Sequence, residues 1–313
     1  MSILSELVKA HPVRRSETEK TAFRQYVIGK ATERGLPAKV ELTADGKNNN
    51  VVIGDPESAK IIYTAHYDTP CASPFPNMMR PRNRVLFFAF QFVPIIIMLA
   101  VALSVSGAVR YAVGWDSEAG ALAWYFSFLA VYYLLFWLFF RGFVNKNNYN
   151  DNTSGVAVIL SVIEKCNPET LKNAAFILFD NEEKGKKGSK AYFSDHREML
   201  ENKLLLNFDC VGNGENIVFI AKEKAEKMPE YVTLKEAFAS KEGFNTEFYP
   251  IKGSESNSDY KNFPCGVGCM ACKKSKNGVL YTPRIHTGRD TEAHDENIEF
   301  ISNAAIGFIE RVK

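Results

Sequence analysis

Two hydrophobic patterns alternate along this chain: short apolar runs that suit buried strands, and longer segments with helical periodicity. Ser16-Glu17-Thr18-Glu19 matches a capping box and predicts a helix that extends to about Arg34. The apolar runs that follow it predict three strands. These runs are AKVELT (38–43), NVVIG (50–54) and KIIYTA (60–65).

The same alternation resumes after residue 145. Helices are predicted at SGVAVILSVIEK, at GSKAYFSDH, at about 230–241 and from about Asp295 to the end. Strands are predicted at AAFILFD, KLLLNFD, NIVFIA, TEFYPI and GVGCMAC. Alternation of this kind predicts an α/β fold with a mostly parallel central sheet and helices on both faces.

Two long apolar segments interrupt this pattern. Residues 85–109 and 119–140 contain no charged side chain, and each exceeds the roughly 20 residues that cross a bilayer as a helix. We therefore predict that 85–140 is an inserted transmembrane helical hairpin, with spans at about 85–109 and 119–140. The alternative is a helical hairpin buried in a soluble core.

The charges that flank the two segments predict their orientation. Basic residues on the outer flanks outnumber the single Arg110 of the connecting loop, and loops rich in Lys and Arg stay in the cytoplasm. The flanking residues are Arg80, Arg82, Arg84, Arg141 and Lys146. We expect an integral protein of the cell membrane whose soluble part and both termini are cytoplasmic, in contact with the bilayer through 85–140.

Charge and cysteine content argue against a nucleic-acid-binding protein and against a metal or redox site built on thiols. The 38 basic and 36 acidic residues give a net charge of +2, and no basic block is present, so no nucleic-acid partner is expected. Cys269 and Cys272 form a C-x-x-C motif that could bind metal or react with oxidants, but the motif lies in a predicted strand. We interpret both as buried free thiols. The sequence does not indicate an oligomeric state.

Candidate chemistry is concentrated where predicted strands end and helices begin. In such folds these positions meet at the carboxyl edge of the sheet. They hold two histidines and five carboxylates: His66, Asp68, Asp151, Glu182, Glu183, Asp209 and His286. Imidazole and carboxylate ligands without thiolate suit catalytic Zn²⁺, and their number suggests two ions. Such a centre needs a bridging carboxylate and a further free carboxylate that takes a proton from water.

Five ordered motifs carry a resemblance to a known family. They are AHYDTP, NDNTSGVA, NEEKGKKGS, NFDCVG and HTGRDT. The series resembles the di-zinc metallopeptidases that include bacterial leucyl aminopeptidase, glutaminyl cyclase and glutamate carboxypeptidase. The resemblance covers about 1–80 and 145–313. It implies a three-layer α/β/α zinc-exopeptidase fold, formed as one discontinuous domain from 1–80 and 145–313.

The resemblance also implies a role for each site residue. Asp151 would bridge two Zn²⁺ ions, with His66 and Asp209 completing one site. Glu183 and His286 would complete the other site, Glu182 would be the general base, and Asp68 would orient His66. The sequence departs from the pattern at Tyr260, where relatives often have His, which leaves the substrate contacts open.

We therefore expect a membrane-anchored zinc exopeptidase, most simply an aminopeptidase that removes N-terminal residues from peptides. A carboxypeptidase or a glutaminyl cyclase on the same fold is an alternative, as is a non-catalytic relative that resembles a receptor. His66 and Asp68 precede the hairpin and the other site residues follow it. Two spans return the chain to the same side of a membrane, where one site can assemble.

Overall fold

The computed structural model describes residues 1–75 and 78–312. The strands are β1 (Ala38–Leu42), β2 (Asn49–Ile53), β3 (Ile61–His66), β4 (Cys71–Ala72), β5 (Phe143–Val144), β6 (Ala174–Phe179), β7 (Leu204–Phe208), β8 (Asn216–Ala221), β9 (Asn245–Pro250), β10 (Gly266–Lys274) and β11 (Leu280–Tyr281). The helices are α1 (Ile3–Ala10), α2 (Glu17–Glu33), α3 (Arg84–Val113), α4 (Glu118–Phe140), α5 (Gly155–Lys165), α6 (Pro168–Leu171), α7 (Lys187–Asp195), α8 (Arg197–Leu200), α9 (Glu223–Glu226), α10 (Pro229–Ala237) and α11 (Asp295–Arg311).

The large sheet has the strand order β1-β2-β6-β3-β7-β10-β8-β9, with β11 beside β10. Its centre is parallel, because β3 pairs in parallel with both β6 and β7, and β10 pairs in parallel with β7. The pairs β1–β2, β2–β6 and β8–β10 are antiparallel. The central strands consist of buried residues, as expected for strands covered on both faces.

Helices cover both faces and form two apolar cores. One core packs α1, α2, α5, α10 and α11 on the sheet, and the other packs α7 and α8 on the opposite face. Helix α5 is buried from Gly155 to Ile163 because it lies between the sheet and α11, so it is apolar on every side. Ser16 and Glu19 form the predicted capping box of α2. The predicted α/β fold class is confirmed.

Helices α3 and α4 pack against each other as a hairpin. Both are long and apolar enough to cross a membrane by length and composition alone, and few of their residues are buried within the protein. Helix α3 extends beyond the predicted 85–109, since it continues through Arg110 until Gly114, whose φ is 132°. A non-glycine residue would be strained at that φ, which explains the position of the turn.

The base of this hairpin is attached to the rest of the chain at several points. The short strands β4 and β5, on the two connecting segments, pair with each other. The Arg15 guanidinium donates to the carbonyl of Arg141 at 2.6 Å, just after α4. At the start of α3, Arg84 lies 3.4 Å from Glu255 and Arg82 donates to the carbonyl of Gly253 at 3.0 Å. The hairpin is therefore joined to the domain by direct contacts at both ends.

Candidate metal centre

Neighbouring strands bring the predicted site residues to one edge of the sheet. His66 is the last residue of β3 and lies opposite Phe179, the last residue of β6. Glu182 and Glu183 follow β6, and Asp209 follows β7. Since β6, β3 and β7 are adjacent and parallel, their carboxyl ends meet here, as the sequence pattern predicted.

Asp151 and His286 reach the same edge from irregular segments. Asp151 lies in a turn that leads into α5, where the Asp151–Asn152 peptide is cis. His286 was predicted to follow a strand directly, but β11 ends at Tyr281 and His286 lies in the turns beyond it. Arg284 and His286 have φ values of 60° and 58°, in the left-handed region, so this segment cannot continue as an extended strand.

The two histidines face different oxygens of Asp151. His66 Nε2 lies 3.3 Å from Asp151 Oδ1, and His286 Nε2 lies 2.9 Å from Asp151 Oδ2. Each histidine has a second carboxylate beside it. Asp209 Oδ1 lies 3.8 Å from His66 Nε2, and Glu183 Oε2 lies 3.5 Å from His286 Nε2. The five side chains thus form two groups that share Asp151.

Polar side chains around Asp151 fix the turn that carries it. Asn152 Oδ1 accepts hydrogen bonds from the backbone N–H groups of Gly155 and Cys210, and its amide donates to the carbonyl of Phe208. Ser154 Oγ accepts from the N–H of Val211. These bonds tie the turn before α5 to the segment after β7, so Asp151 and Asp209 are held beside each other.

Asp68 supports the loop that carries the two glutamates. Its buried carboxylate accepts hydrogen bonds from the backbone N–H of Glu182 at 2.9 Å and of Glu183 at 3.2 Å. His66 Nδ1 lies 3.1 Å from the carbonyl oxygen of Asp68 and 3.6 Å from its carboxylate. The sequence predicted the contact with His66 but not the bonds to the glutamate backbone. Asp68 therefore positions both His66 and the loop that carries Glu182 and Glu183.

The electrostatics of the cluster favour a bound cation. Burial raises the pKa of Glu183 to about 8 and that of Glu182 well above its ordinary value. Burial acts to lower the pKa of His286, but Glu183 and Asp151 outweigh it and raise the pKa to about 10. The two glutamates therefore hold protons near neutral pH. Burial acts to raise the pKa of Asp151, but His286 and His66 outweigh it and hold that pKa well below its usual range. A divalent cation would replace those protons.

The donor atoms fit such a cation. Ligand atoms of His66, Asp151 and Glu183 lie within 4.8 Å of one another, and so do those of Asp151, Asp209 and Cys210. Glu183 Oε1 is buried without a hydrogen-bond partner, and buried polar atoms normally have one. The Cys210 thiol is buried, and burial with the neighbouring carboxylates holds its pKa well above the ordinary value. A neutral thiol is a poor metal ligand, so the imidazoles and carboxylates remain the fitting set.

Four buried charged residues near the site were not identified from the sequence: Asp290, Lys20, Asp180 and Asp259. Asp290 accepts hydrogen bonds from the backbone N–H groups of Asn150 and Asp151, and burial raises its pKa to about 8. Lys20 forms a buried ion pair with Asp180 at 2.5 Å, at the start of the glutamate loop. Asp259 is fully buried, and burial raises its pKa to about 7.

Tyr260 does not belong to the site. Its side chain is fully buried and its hydroxyl lies 2.6 Å from Ser256 Oγ. A Cβ at Gly268 would lie 2.5 Å from the Tyr260 ring, so this glycine makes room for the ring. Tyr260 is therefore a core residue.

Comparisons with known proteins bear on the family and the fold of the chain. The sequence pattern of Peptidase family M28 matches residues 143–308, after the hairpin, so His66 and Asp68 lie outside the matched part. No curated protein sequence matches the chain.

Several solved structures share the fold. A glutaminyl cyclase of Bacteroides thetaiotaomicron has 16% identity and a TM-score of 0.59, over 100% of this chain and 97% of that one. A leucine aminopeptidase precursor of the same organism has 15% identity and a TM-score of 0.58, with the same coverage. A Zn-dependent exopeptidase of Parabacteroides distasonis has 13% identity and a TM-score of 0.57, over 99% of this chain and 96% of that one. The predicted zinc-exopeptidase fold is confirmed.

Proposed function

The chain belongs to Peptidase family M28, and from this premise we propose that it is a two-zinc aminopeptidase held in the cell membrane by the α3–α4 hairpin. Membership makes it a zinc-dependent metallopeptidase that acts on peptides, and the predicted family is confirmed. The number of ions, the removal of N-terminal residues and the membrane anchor are our proposals.

One observation carries the proposal of two ions. The two carboxylate oxygens of Asp151 face different histidines, and each histidine has a second carboxylate beside it. We propose that Asp151 bridges two Zn²⁺ ions. His66 and Asp209 would bind one of them, and Glu183 and His286 the other.

Bound zinc would polarise the peptide carbonyl and make water a better nucleophile at neutral pH. The residues of the chain would supply the remaining chemistry. Glu182 would take a proton from the attacking water and deliver it to the amine that leaves. Burial raises the pKa of Glu182, which makes its carboxylate a stronger base. Asp68 would keep Glu182 in place through the backbone bond described above.

A peptide assay tests the specificity. Structures of this fold include both a leucine aminopeptidase precursor and a glutaminyl cyclase, so the assay must separate these activities. The purified full-length chain in detergent would receive a free peptide, its N-acetylated form and its C-amidated form, with and without chelator, and mass spectrometry would identify the products. We expect release of the N-terminal residue from the free and amidated peptides only. Cleavage of the acetylated peptide, or cyclisation of an N-terminal glutamine without hydrolysis, would contradict the proposal.

The membrane anchor is supported by the exposed apolar surface of α3 and α4 and by the basic residues on their outer flanks. Labelling with a membrane-impermeant maleimide in intact cells tests the orientation. Asp116→Cys, in the exposed turn between the helices, should be labelled from outside. Asn277→Cys, in the exposed turn between β10 and β11, should be labelled only after lysis. Equal labelling of both variants in intact cells would contradict the topology.

A further inference from the structure

A cavity of about 670 Å³ joins the metal centre to the helical hairpin. On one side it is lined by Glu183 and His286. On the other side its wall includes Phe90 of α3 and Phe136 and Phe140 of α4. A volume of this size holds a ligand of a few residues. The candidate site and the hairpin therefore share one binding space.

Helix geometry places this wall at the surface of the proposed bilayer. About 20 residues at 1.5 Å per residue cross the roughly 30 Å of hydrocarbon. Counted from the charge-free ends of the predicted spans, at residues 109 and 119, 20 residues end at Phe90 on α3 and at Leu138 on α4. Phe90 then lies at this boundary, and Phe136 and Phe140 lie on either side of it. The aromatic wall of the cavity would therefore lie where lipid headgroups meet hydrocarbon.

The aromatic wall presents apolar surface that the fold itself does not bury. Phe136 and Phe140 are 43% and 50% exposed, and their ring centroids lie 4.8 Å apart. A peptide in the cavity would thus meet aromatic rings.

We infer that this wall is an apolar substrate subsite, and that the enzyme acts on peptides with large apolar residues next to the bond cleaved. This inference rests on the proposed peptidase function and deepens it. The occupant is an apolar peptide that partitions into the membrane surface, because the aromatic wall of the cavity lies at that level. The lining also carries more basic than acidic side chains, and this excess disfavours peptides with basic residues. The basic residues are Arg15, Lys20, Arg141, Lys184 and Lys187, and the acidic ones are Asp68 and Glu183.

Paired phenylalanine substitutions test the subsite. Phe90→Ala and Phe136→Ala change the cavity wall. Phe92→Ala and Phe126→Ala are matched controls on the same helices, at residues that are 54% and 63% exposed and do not line the cavity. Each variant would be assayed as full chain in lipid nanodiscs with the peptides Phe-Leu-Phe and Ala-Ser-Ala, and the ratio of the two kcat/KM values would be compared.

The wild-type chain should prefer Phe-Leu-Phe. Each cavity variant should lower the ratio about tenfold, since even one methylene of a substrate in an apolar pocket changes discrimination by roughly 10- to 200-fold. The controls should stay within about twofold of the wild-type ratio. A ratio that stays constant in the cavity variants, or that falls equally in the controls, would overturn the subsite.

A binding measurement separates this inference from the proposed function. If the wild-type chain hydrolyses neither peptide, the proposed function fails, and anisotropy of fluorescein-labelled Phe-Leu-Phe then reports on the subsite directly. A dissociation constant raised about tenfold in the cavity variants and unchanged in the controls would support the subsite. Equal binding by all five proteins, or no binding by the wild type, would refute it.

Discussion

Replacement of Asp68 by asparagine tests whether this residue positions the glutamate loop. In the structure one buried carboxylate accepts the backbone N–H groups of both Glu182 and Glu183. An asparagine side chain has one oxygen and one amino group, so one of the two N–H groups would lose its acceptor and face a donor. Hydrogen bonds to charged groups contribute roughly 1.5–3 kcal/mol each.

We therefore expect Asp68→Asn to lower the free energy of unfolding by about 2 kcal/mol. We also expect kcat/KM or zinc affinity to fall about 10- to 100-fold, as is usual when a residue that orients metal ligands is changed. The assays are thermal unfolding, competition with a zinc chelator and hydrolysis of a free peptide.

Asp55→Asn is the matched control. Asp55 is exposed, and its carboxylate accepts the backbone N–H of Glu57 at 3.0 Å and lies beside Ser58. Its substitution should change the free energy of unfolding by less than about 0.5 kcal/mol and leave activity unaltered. If Asp68→Asn keeps both kcat/KM and zinc affinity within about twofold of wild type, the positioning role assigned to Asp68 is wrong.

Two further predictions concern the base and the pH dependence. Glu182→Gln should retain zinc but lose activity by about 10²–10⁴-fold, because an amide cannot accept the proton of water; activity within a few-fold of wild type would show that Glu182 is misassigned. The folded-state pKa values of Glu183 and Asp290 are raised to about 8 and that of His286 to about 10, all above their unfolded values. Groups with raised pKa values stabilise the fold at low pH and lose that contribution as pH rises, so metal-free protein should melt at lower temperature as pH rises from about 5 to 9. Added zinc should restore stability most at the alkaline end, and a melting temperature that rises with pH in metal-free protein would refute this reading.

Most of the fold could be predicted because its elements carry strong local patterns. The central strands are continuous apolar runs bounded by polar residues, and α2 begins at the capping box of Ser16 and Glu19. Helix α1 was missed because it is short: its four large apolar residues, Ile3, Leu4, Leu7 and Val8, pack on the core but span less than two helical turns. Helical periodicity is recognised over windows of about 11–18 residues, which is more than this segment offers.

The positions of the candidate ligands could be predicted because strand ends meet at one edge of a parallel sheet. The residues that hold the ligands in place could not. Asp290 bonds to backbone groups about 140 positions earlier in the chain, and Lys20 pairs with Asp180 across 160 positions. Such contacts depend on tertiary packing and leave no local pattern. The cavity wall could not be predicted either. Aromatic residues near the end of a predicted transmembrane span are common at membrane surfaces, so they do not by themselves indicate a binding site.

Zinc content of purified variants tests the central claim most directly. If Asp151 bridges two ions between the groups of His66 and His286, wild-type protein should contain two zinc ions per chain by elemental analysis. Glu183→Ala and Asp209→Ala should each lose mainly one ion, and Asp151→Ala should lose both. Near-full zinc in Asp151→Ala, or a single ion in fully loaded wild-type protein, would contradict the account.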